Sequence, residues 1–130
     1  MFILLDVDDF KTINDRFGHA VGDYVITAIA DCLRRAFRDT DILFRLGGDE
    51  FAVFVPGIEQ KEAKYRLIQR LHHEISCISI PEMAGVSVTV SLGISDVGPE
   101  GGDSFESLYQ RADQEMYENK RKKHNSRLPG

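Results

Sequence analysis

The alternation of apolar and polar positions predicts where the strands lie. Residues 2–7 are apolar almost without interruption, which is typical of a central strand covered on both faces. Shorter apolar runs at 42–44 and 51–55 enclose a glycine pair and indicate a hairpin. Residues 86–94 alternate between aliphatic and small polar side chains, so we expect a strand with one core face and one small polar face.

Apolar residues at helical spacing fill the intervals between these strands and predict helices. The expected boundaries are 10–17 before Gly18, an Asp23 N-cap to about Arg38, Glu59 to about Cys77, and an Asp103 or Ser104 cap to the basic run 120–124. The core-facing residues are expected to be Ile26, Ile29, Leu33 and Phe37 in the second helix, and Phe105, Leu108, Ala112 and Met116 in the last.

The order of the predicted elements determines the expected fold. With the first two helices treated as one unit, the order is βαββαβ, the ferredoxin-like plan of the α+β class. An antiparallel central sheet would carry helices on its faces, as in an α/β sandwich. On this plan the first strand lies beside the hairpin, so residues far apart in sequence meet at the hairpin tip.

Carboxylates are concentrated at the two places that this topology brings together. Asp6, Asp8 and Asp9 end the first strand, and Asp49 and Glu50 follow the glycine pair of the hairpin. Hard divalent cations prefer carboxylate oxygens, and glycines allow a large ligand to approach the backbone. The pattern fits a site for a metal ion and a phosphate ester, and also two solvated acidic turns.

Composition limits the classes of function. The 130 residues predict one domain, and the net charge of −5 with a pI near 5.3 argues against a nucleic-acid scaffold. No apolar run approaches the roughly 20 residues of a membrane span, and the apolar start is too short for a signal peptide. Cys32 and Cys77 lack metal-ligand spacing, so we expect buried free thiols in a reducing compartment, which indicates a cytoplasmic location. We also expect no membrane contact by this domain.

Several separated motifs, in register, resemble the GGDEF domain of diguanylate cyclases. The resemblance runs from Leu5 to about Asn125, so we expect one GGDEF domain at 1–125 and a tail at 126–130. The motifs that carry it are Asp6-Val7-Asp8-Asp9-Phe10-Lys11-Thr12-Ile13-Asn14-Asp15, Gly18-His19, Gly22-Asp23, Arg45-Leu46-Gly47-Gly48-Asp49-Glu50-Phe51, 87–94, Ala112-Asp113 and Met116-Tyr117.

This resemblance implies an enzyme of bacterial signalling that condenses two GTP molecules into cyclic di-GMP and releases pyrophosphate. The family fold is similar to the palm of nucleotidyl cyclases and polymerases. By resemblance, Asp6, the Val7 carbonyl and Asp49 would hold Mg²⁺ or Mn²⁺. Glu50 would assist the metals or take the proton of the attacking 3′-hydroxyl, and Lys11 would stabilise developing charge.

The resemblance also assigns the nucleotide contacts. Asn14 and Asp23 would read guanine, whose ring NH and exocyclic amine suit a carboxylate acceptor. The remaining substrate residues would be the backbone amides of Phe10 and Lys11, together with His19, Gly47, Gly48 and Lys120. Catalysis would need a transient homodimer, because each protomer holds one GTP.

Arg38-Asp39-Thr40-Asp41 matches the family's RxxD pattern, in which Arg38 and Asp41 would bind cyclic di-GMP and cause product inhibition. A non-catalytic receptor that uses this site is one alternative function, and a GTP-binding regulatory module is another. The full-length protein would carry a sensory or regulatory domain and could be membrane-anchored. The chain differs from the family in two places: it begins at the first strand, without the usual N-terminal helix and Asp-x-Leu-Thr segment, and Lys123-His124-Asn125 replaces Gly-Arg-Asn.

Overall fold

A computed structural model describes residues 1–58, 60–97 and 103–127 of the chain. In chain order the elements are β1 (Phe2–Val7), α1 (Phe10–Phe17), α2 (His19–Ala36), β2 (Ile42–Gly47), β3 (Glu50–Phe54), α3 (Lys61–Ser76), a 3₁₀ turn (Pro81–Met83), β4 (Val90–Ser95) and α4 (Phe105–Arg127). Contacts between Cα atoms divide the chain into two compact units. The N-terminal end of the predicted third helix, Glu59, lies outside the described residues.

The first unit comprises Met1–Asp6, Thr40–Gly57 and Ser91–Gly130, and it is built around the sheet. The strand order is β2-β3-β1-β4 in an antiparallel α+β arrangement, which confirms the predicted topology. Each residue of β1 is buried, as expected for a central strand. The antiparallel register of β1 with β3 places Phe2 opposite Phe54 and Asp6 opposite Glu50.

Helix α4 packs closely on β4 because the facing residues are small. A Cβ atom on Gly93 would lie 1.8 Å from the carbonyl oxygen of Ala112, so only glycine fits at this position. The Ser95 hydroxyl donates a hydrogen bond to the Leu108 carbonyl at 2.8 Å. The small polar face predicted for this strand is therefore buried beneath α4. The apolar side of the helix joins a core cluster of Phe2, Leu4, Ala52, Leu108, Ala112 and Met116.

Polar side chains of α4 also bond to the backbone of β4, the last strand in the sheet order. The Ile94 amide donates to Glu115 Oε1 at 3.3 Å, and Asn119 Nδ2 donates to the Leu92 carbonyl at 2.7 Å. Backbone groups at a sheet edge otherwise offer a pairing surface to another strand. The helix therefore satisfies part of this edge.

The second unit, Val7–Asp39 and Ile58–Val90, is mainly helical. The predicted inward stripe of α2 is confirmed, since Ile26, Ile29, Leu33 and Phe37 are all buried. Helices α1 and α2 follow one another directly. Gly18 has a φ of 94°, a conformation that costs glycine little, and ends α1 while preceding α2.

The predicted start of the second helix was wrong. Helix α2 begins at His19, and the Gly22 amide already donates to the Gly18 carbonyl at 3.1 Å. Asp23 therefore lies inside the helix, with an exposed side chain, and does not cap it. The turn at Gly18 is tight enough to leave no loop.

The predicted start of the last strand was also wrong, because β4 begins at Val90. The Val86 amide donates to the Met83 carbonyl at 2.9 Å, and Ala84 and Gly85 have φ angles of 45° and 88°. A left-handed turn therefore lies directly before the predicted strand, and residues 86–89 are not part of β4. Val86 is 43% exposed as a result.

Smaller corrections concern exposure and length. Cys32 is buried as predicted, but Cys77 is exposed at the end of α3. Phe105 is 51% exposed, although its ring contacts those of Phe2, Phe44 and Tyr109.

Ser104 is confirmed as a cap, since its hydroxyl accepts a hydrogen bond from the Ser107 amide at 3.1 Å. Strand β2 continues to Gly47, three residues past its apolar run, and α4 continues to Arg127.

Candidate active site

Acidic side chains meet where β1 ends beside the hairpin. Asp6 and Glu50 are direct partners in the antiparallel register, and Asp49 precedes Glu50 in the turn. Asp6 is buried, and its Oδ1 atom has no hydrogen-bond partner among the described residues. Like charges directly opposite on neighbouring strands repel, so this arrangement needs a compensating charge or donor.

Lys120 supplies the compensating charge for Asp6. Its Nζ atom forms a short ion pair with Asp6 Oδ2. Burial, followed by the neighbouring carboxyl group of Asp49, raises the pKa of Asp6 to about 6, and the ammonium group of Lys120 acts in the opposite direction. The lysine therefore offsets only part of the cost of a buried charge at this position.

Tyr109 supplies the donor for Glu50. Its hydroxyl donates a hydrogen bond to Glu50 Oε1 at 2.6 Å. This bond, together with burial and the charge of Glu50, raises the pKa of Tyr109 to about 12. Sequence analysis missed Tyr109. Tyr109 lies about three turns before Lys120 and therefore on the same face of α4, but this spacing does not indicate a bond to Glu50.

The hairpin tip is open and held by Arg45. Gly48 has a φ of 37°, and the Arg45 Nε and Nη2 atoms donate to its carbonyl oxygen at 3.1 and 2.5 Å. A Cβ on Gly47 or Gly48 would meet nothing within 4 Å. The two predicted substrate-binding glycines thus border open space. The guanidinium group of Arg45 holds the peptide group that joins Gly48 to Asp49.

Asn14 and Gly22 are in close contact in the second unit. A Cβ on Gly22 would lie 1.8 Å from Asn14 Oδ1, so a glycine is needed at this point of α2 for the amide of Asn14 to lie against the helix. Asn14 is half-buried, whereas His19 and Asp23 on α2 are exposed. The contact fixes Asn14, one of the predicted guanine-reading residues.

The other predicted site residues lie at the start of α1 and in the segment after α2. Asp9 has a φ of 56° and provides no side-chain cap to α1, in whose first turn Phe10 and Lys11 lie. The first amides of a helix have no intrahelical acceptor. Asp8 bonds to Thr89, whose hydroxyl donates to Asp8 Oδ2 at 2.8 Å. In the chain segment that joins α2 to β2, Arg38 is exposed and Asp41 is half-buried.

Comparison with known proteins identifies the family. The profile described as "Diguanylate cyclase, GGDEF domain" matches residues 1–126. The chain belongs to the GGDEF domain family. This GGDEF domain is 40% identical over 122 residues to the diguanylate cyclase DgcP of Pseudomonas aeruginosa, covering 93% of this chain and 18% of that protein. The chain therefore spans less than a fifth of the length of this relative.

Solved GGDEF structures have the same fold. The GGDEF domain of TpbB, also called YfiN, from Pseudomonas aeruginosa has a TM-score of 0.81 and 35% identity, covering 93% of this chain and 75% of that one. The GGDEF domain of DgcB from Caulobacter crescentus, in complex with c-di-GMP, has a TM-score of 0.79 and 30% identity, covering 93% and 71%. These similarities place the acidic pair of this GGDEF domain, Asp6 and Glu50, in a known family fold.

The acidic residues of the GGDEF domain fit a divalent cation. Their donors are carboxylate oxygens, and the buried Asp6 Oδ1 atom lacks a partner that a cation would provide. No set of three or more His, Cys, Asp or Glu side chains in 1–58, 60–97 and 103–127 is already arranged around one metal position. In the same ranges, no helix is both long and apolar enough to span a bilayer.

Proposed function

We propose that the chain is a diguanylate cyclase that condenses two GTP molecules into cyclic di-GMP with release of two pyrophosphates. The observation that carries the proposal is the direct pairing of Asp6 with Glu50, beside Asp49 and an open glycine turn. A structural protein has no use for two carboxylates opposite each other in a buried strand pair, since the arrangement costs free energy. The names of the relatives, which include several diguanylate cyclases, agree with this reaction.

Asp6, the Val7 carbonyl, Asp49 and Glu50 would hold Mg²⁺ or Mn²⁺. When bound, such ions supply positive charge for the triphosphate and lower the pKa of the attacking hydroxyl. Glu50 would accept the 3′-hydroxyl proton as the 3′-oxygen forms its bond to the α-phosphorus and the bond to pyrophosphate breaks. Lys120, which pairs with Asp6, is flexible enough to bind a phosphate oxygen when a cation takes its place.

Further residues would bind the substrate. The uncapped first turn of α1, with the amides of Phe10 and Lys11, suits a phosphate group, and the Lys11 ammonium would stabilise developing charge. Asn14 and Asp23 would read the guanine edge, with His19 against the nucleotide. Gly47 and Gly48 would leave room for the nucleotide at the hairpin tip.

The same proposal includes the assembly and the regulation of the enzyme. Two GTP-loaded protomers would form a transient homodimer in the cytoplasm, with no nucleic acid as partner. Arg38 and Asp41 would bind cyclic di-GMP and inhibit synthesis. A sensory or regulatory domain of the full-length protein would control the synthesis.

A synthesis assay tests the function. The protein is incubated with GTP and Mg²⁺, the nucleotides are separated by chromatography, and cyclic di-GMP is expected in proportion to enzyme. Mn²⁺ and ATP serve as comparison metal and substrate. Binding of cyclic di-GMP without synthesis would favour the receptor function, and GTP binding alone would favour a regulatory module.

The Asp49→Ala variant tests the role of the acidic turn. We expect synthesis to fall to background, while binding of cyclic di-GMP to Arg38 and Asp41, measured by calorimetry, stays unchanged. Asp113→Ala is the matched control, because this carboxylate is exposed on α4. Unchanged turnover in Asp49→Ala would remove Asp49 from the mechanism.

A further inference from the structure

The tyrosine hydroxyl at position 109 is bound to the acidic pair from outside the hairpin. It donates to Glu50 Oε1 at 2.6 Å across 59 residues of sequence. A bond between a neutral donor and a carboxylate is stronger than one between neutral groups. It also engages one carboxylate oxygen and leaves Oε2 for another ligand.

The ring that carries this hydroxyl is fixed by packing. It lies against the core cluster of the first unit, with Phe44 and Phe54 as neighbouring half-buried side chains. Its centroid is 6.1 Å from that of Phe105, which itself contacts Phe2 edge to face at 5.7 Å. Tyrosine has only two side-chain torsions, so a packed ring presents its hydroxyl at a defined point.

One helix face binds both members of the acidic pair. Tyr109 bonds to Glu50 and Lys120 pairs with Asp6, and the two α4 residues are about three helical turns apart. Without these partners, two carboxylates directly opposite each other would repel and turn apart. Helix α4 therefore holds Glu50 and Asp6 in neighbouring positions before any ligand binds.

We infer that Tyr109 is a positioning residue that fixes the carboxylate of Glu50 for metal binding and proton transfer. The inference rests on the proposed function for its catalytic part. A phenylalanine would fill the same space, so packing alone does not require the hydroxyl. The hydroxyl selects which oxygen of Glu50 remains for the cation or the 3′-hydroxyl proton.

The test is Tyr109→Phe in the full chain, which keeps the ring and removes only the hydroxyl. We expect kcat to fall about 10-fold while KM for GTP changes less than about 2-fold, the range found when residues behind metal ligands are altered. Mn²⁺ affinity, measured by calorimetry without nucleotide, should fall by a similar factor. Circular dichroism and cooperative thermal unfolding check that the variant folds.

Two controls separate positioning from a general effect. Tyr117→Phe removes the hydroxyl of a residue on the same helix that is 62% exposed, and we expect wild-type kcat and Mn²⁺ affinity. In a Glu50→Gln background, Tyr109→Phe should cause no further loss of Mn²⁺ affinity, because its effect acts through the carboxylate. A full additional loss in that background would overturn the inference.

The outcomes also separate this inference from the proposed function. Wild-type kcat and Mn²⁺ affinity in Tyr109→Phe would refute the positioning role while synthesis by the wild type stands. If the wild type makes no cyclic di-GMP, the proposed function fails. The role of Tyr109 is then decided by the Mn²⁺ affinities of the Tyr109→Phe and Tyr117→Phe variants.

Discussion

Replacement of Asp6 by asparagine should stabilise the metal-free protein while it removes the proposed metal-dependent synthesis. Asp6 is 9% exposed, and its pKa is raised from 3.8 to about 6, mainly by burial. The negative charge at this position therefore opposes folding. Asparagine has nearly the same shape and carries no charge, so the variant avoids that cost.

The direction of the pH dependence follows from proton binding. Between pH 3.8 and about 6 the folded state holds a proton on Asp6 that the unfolded chain has released. The free energy of unfolding of the wild type therefore falls as pH rises through this window, and it stays lower above it. The contribution of this site in Asp6→Asn does not change with pH.

The magnitude comes from the same pKa. A rise from 3.8 to about 6 corresponds to about 3 kcal/mol of opposition to folding at pH 8. The pKa of about 6 already includes the opposing effect of Lys120, so the lost ion pair is not subtracted again, and the lysine side chain, which is 37% exposed, can turn to water. We expect a net gain of about 1–2 kcal/mol at pH 8, after solvent relaxation is included.

Urea denaturation in buffer with EDTA measures the effect at pH 8 and pH 4.5. Asp6→Asn should be more stable than the wild type at pH 8, and the difference should fall to about one third at pH 4.5, where the folded wild type keeps its proton but most of the unfolded chain has released it. Asp113→Asn, at an exposed position of α4, should show no such pH-dependent gain. The reasoning would be refuted if Asp6→Asn were less stable than the wild type at pH 8. It would also be refuted if the variant gained the same free energy of unfolding at both pH values.

Other substitutions test the close contacts on which the fold and site depend. Gly93→Ala would place a methyl group 1.8 Å from the Ala112 carbonyl oxygen and should cost at least about 1–3 kcal/mol, measured by urea denaturation; wild-type stability would contradict the tight packing of α4 on β4. Gly22→Ala should displace Asn14 and weaken GTP binding in calorimetry, whereas equal affinity would argue against a role of Asn14 in guanine recognition. Arg45→Lys keeps the charge but loses the two bonds to the Gly48 carbonyl, so synthesis should fall with little change in Tm; full activity would show that the tip needs no such support.

The sequence by itself determined the order of the elements and the location of the acidic residues. The nearly continuous apolar run of residues 2–7 is too short for a typical helix and indicates a central strand, because a strand covered on both faces buries consecutive residues. The βαββαβ order then implies that β1 lies beside the hairpin, which brings Asp6 to Glu50. These inferences depend on local periodicity and on a small set of allowed topologies.

Only the tertiary structure decided which groups stabilise the acidic pair. Tyr109 has the spacing of an ordinary helix residue, and nothing in its local sequence indicates a bond to a carboxylate 59 residues away. The position of Gly18 between two helices and the left-handed turn at Ala84 likewise changed the predicted starts of α2 and β4. Periodicity reports which face of an element is apolar, whereas hydrogen bonds and charge pairs depend on side-chain positions that several distant elements fix together.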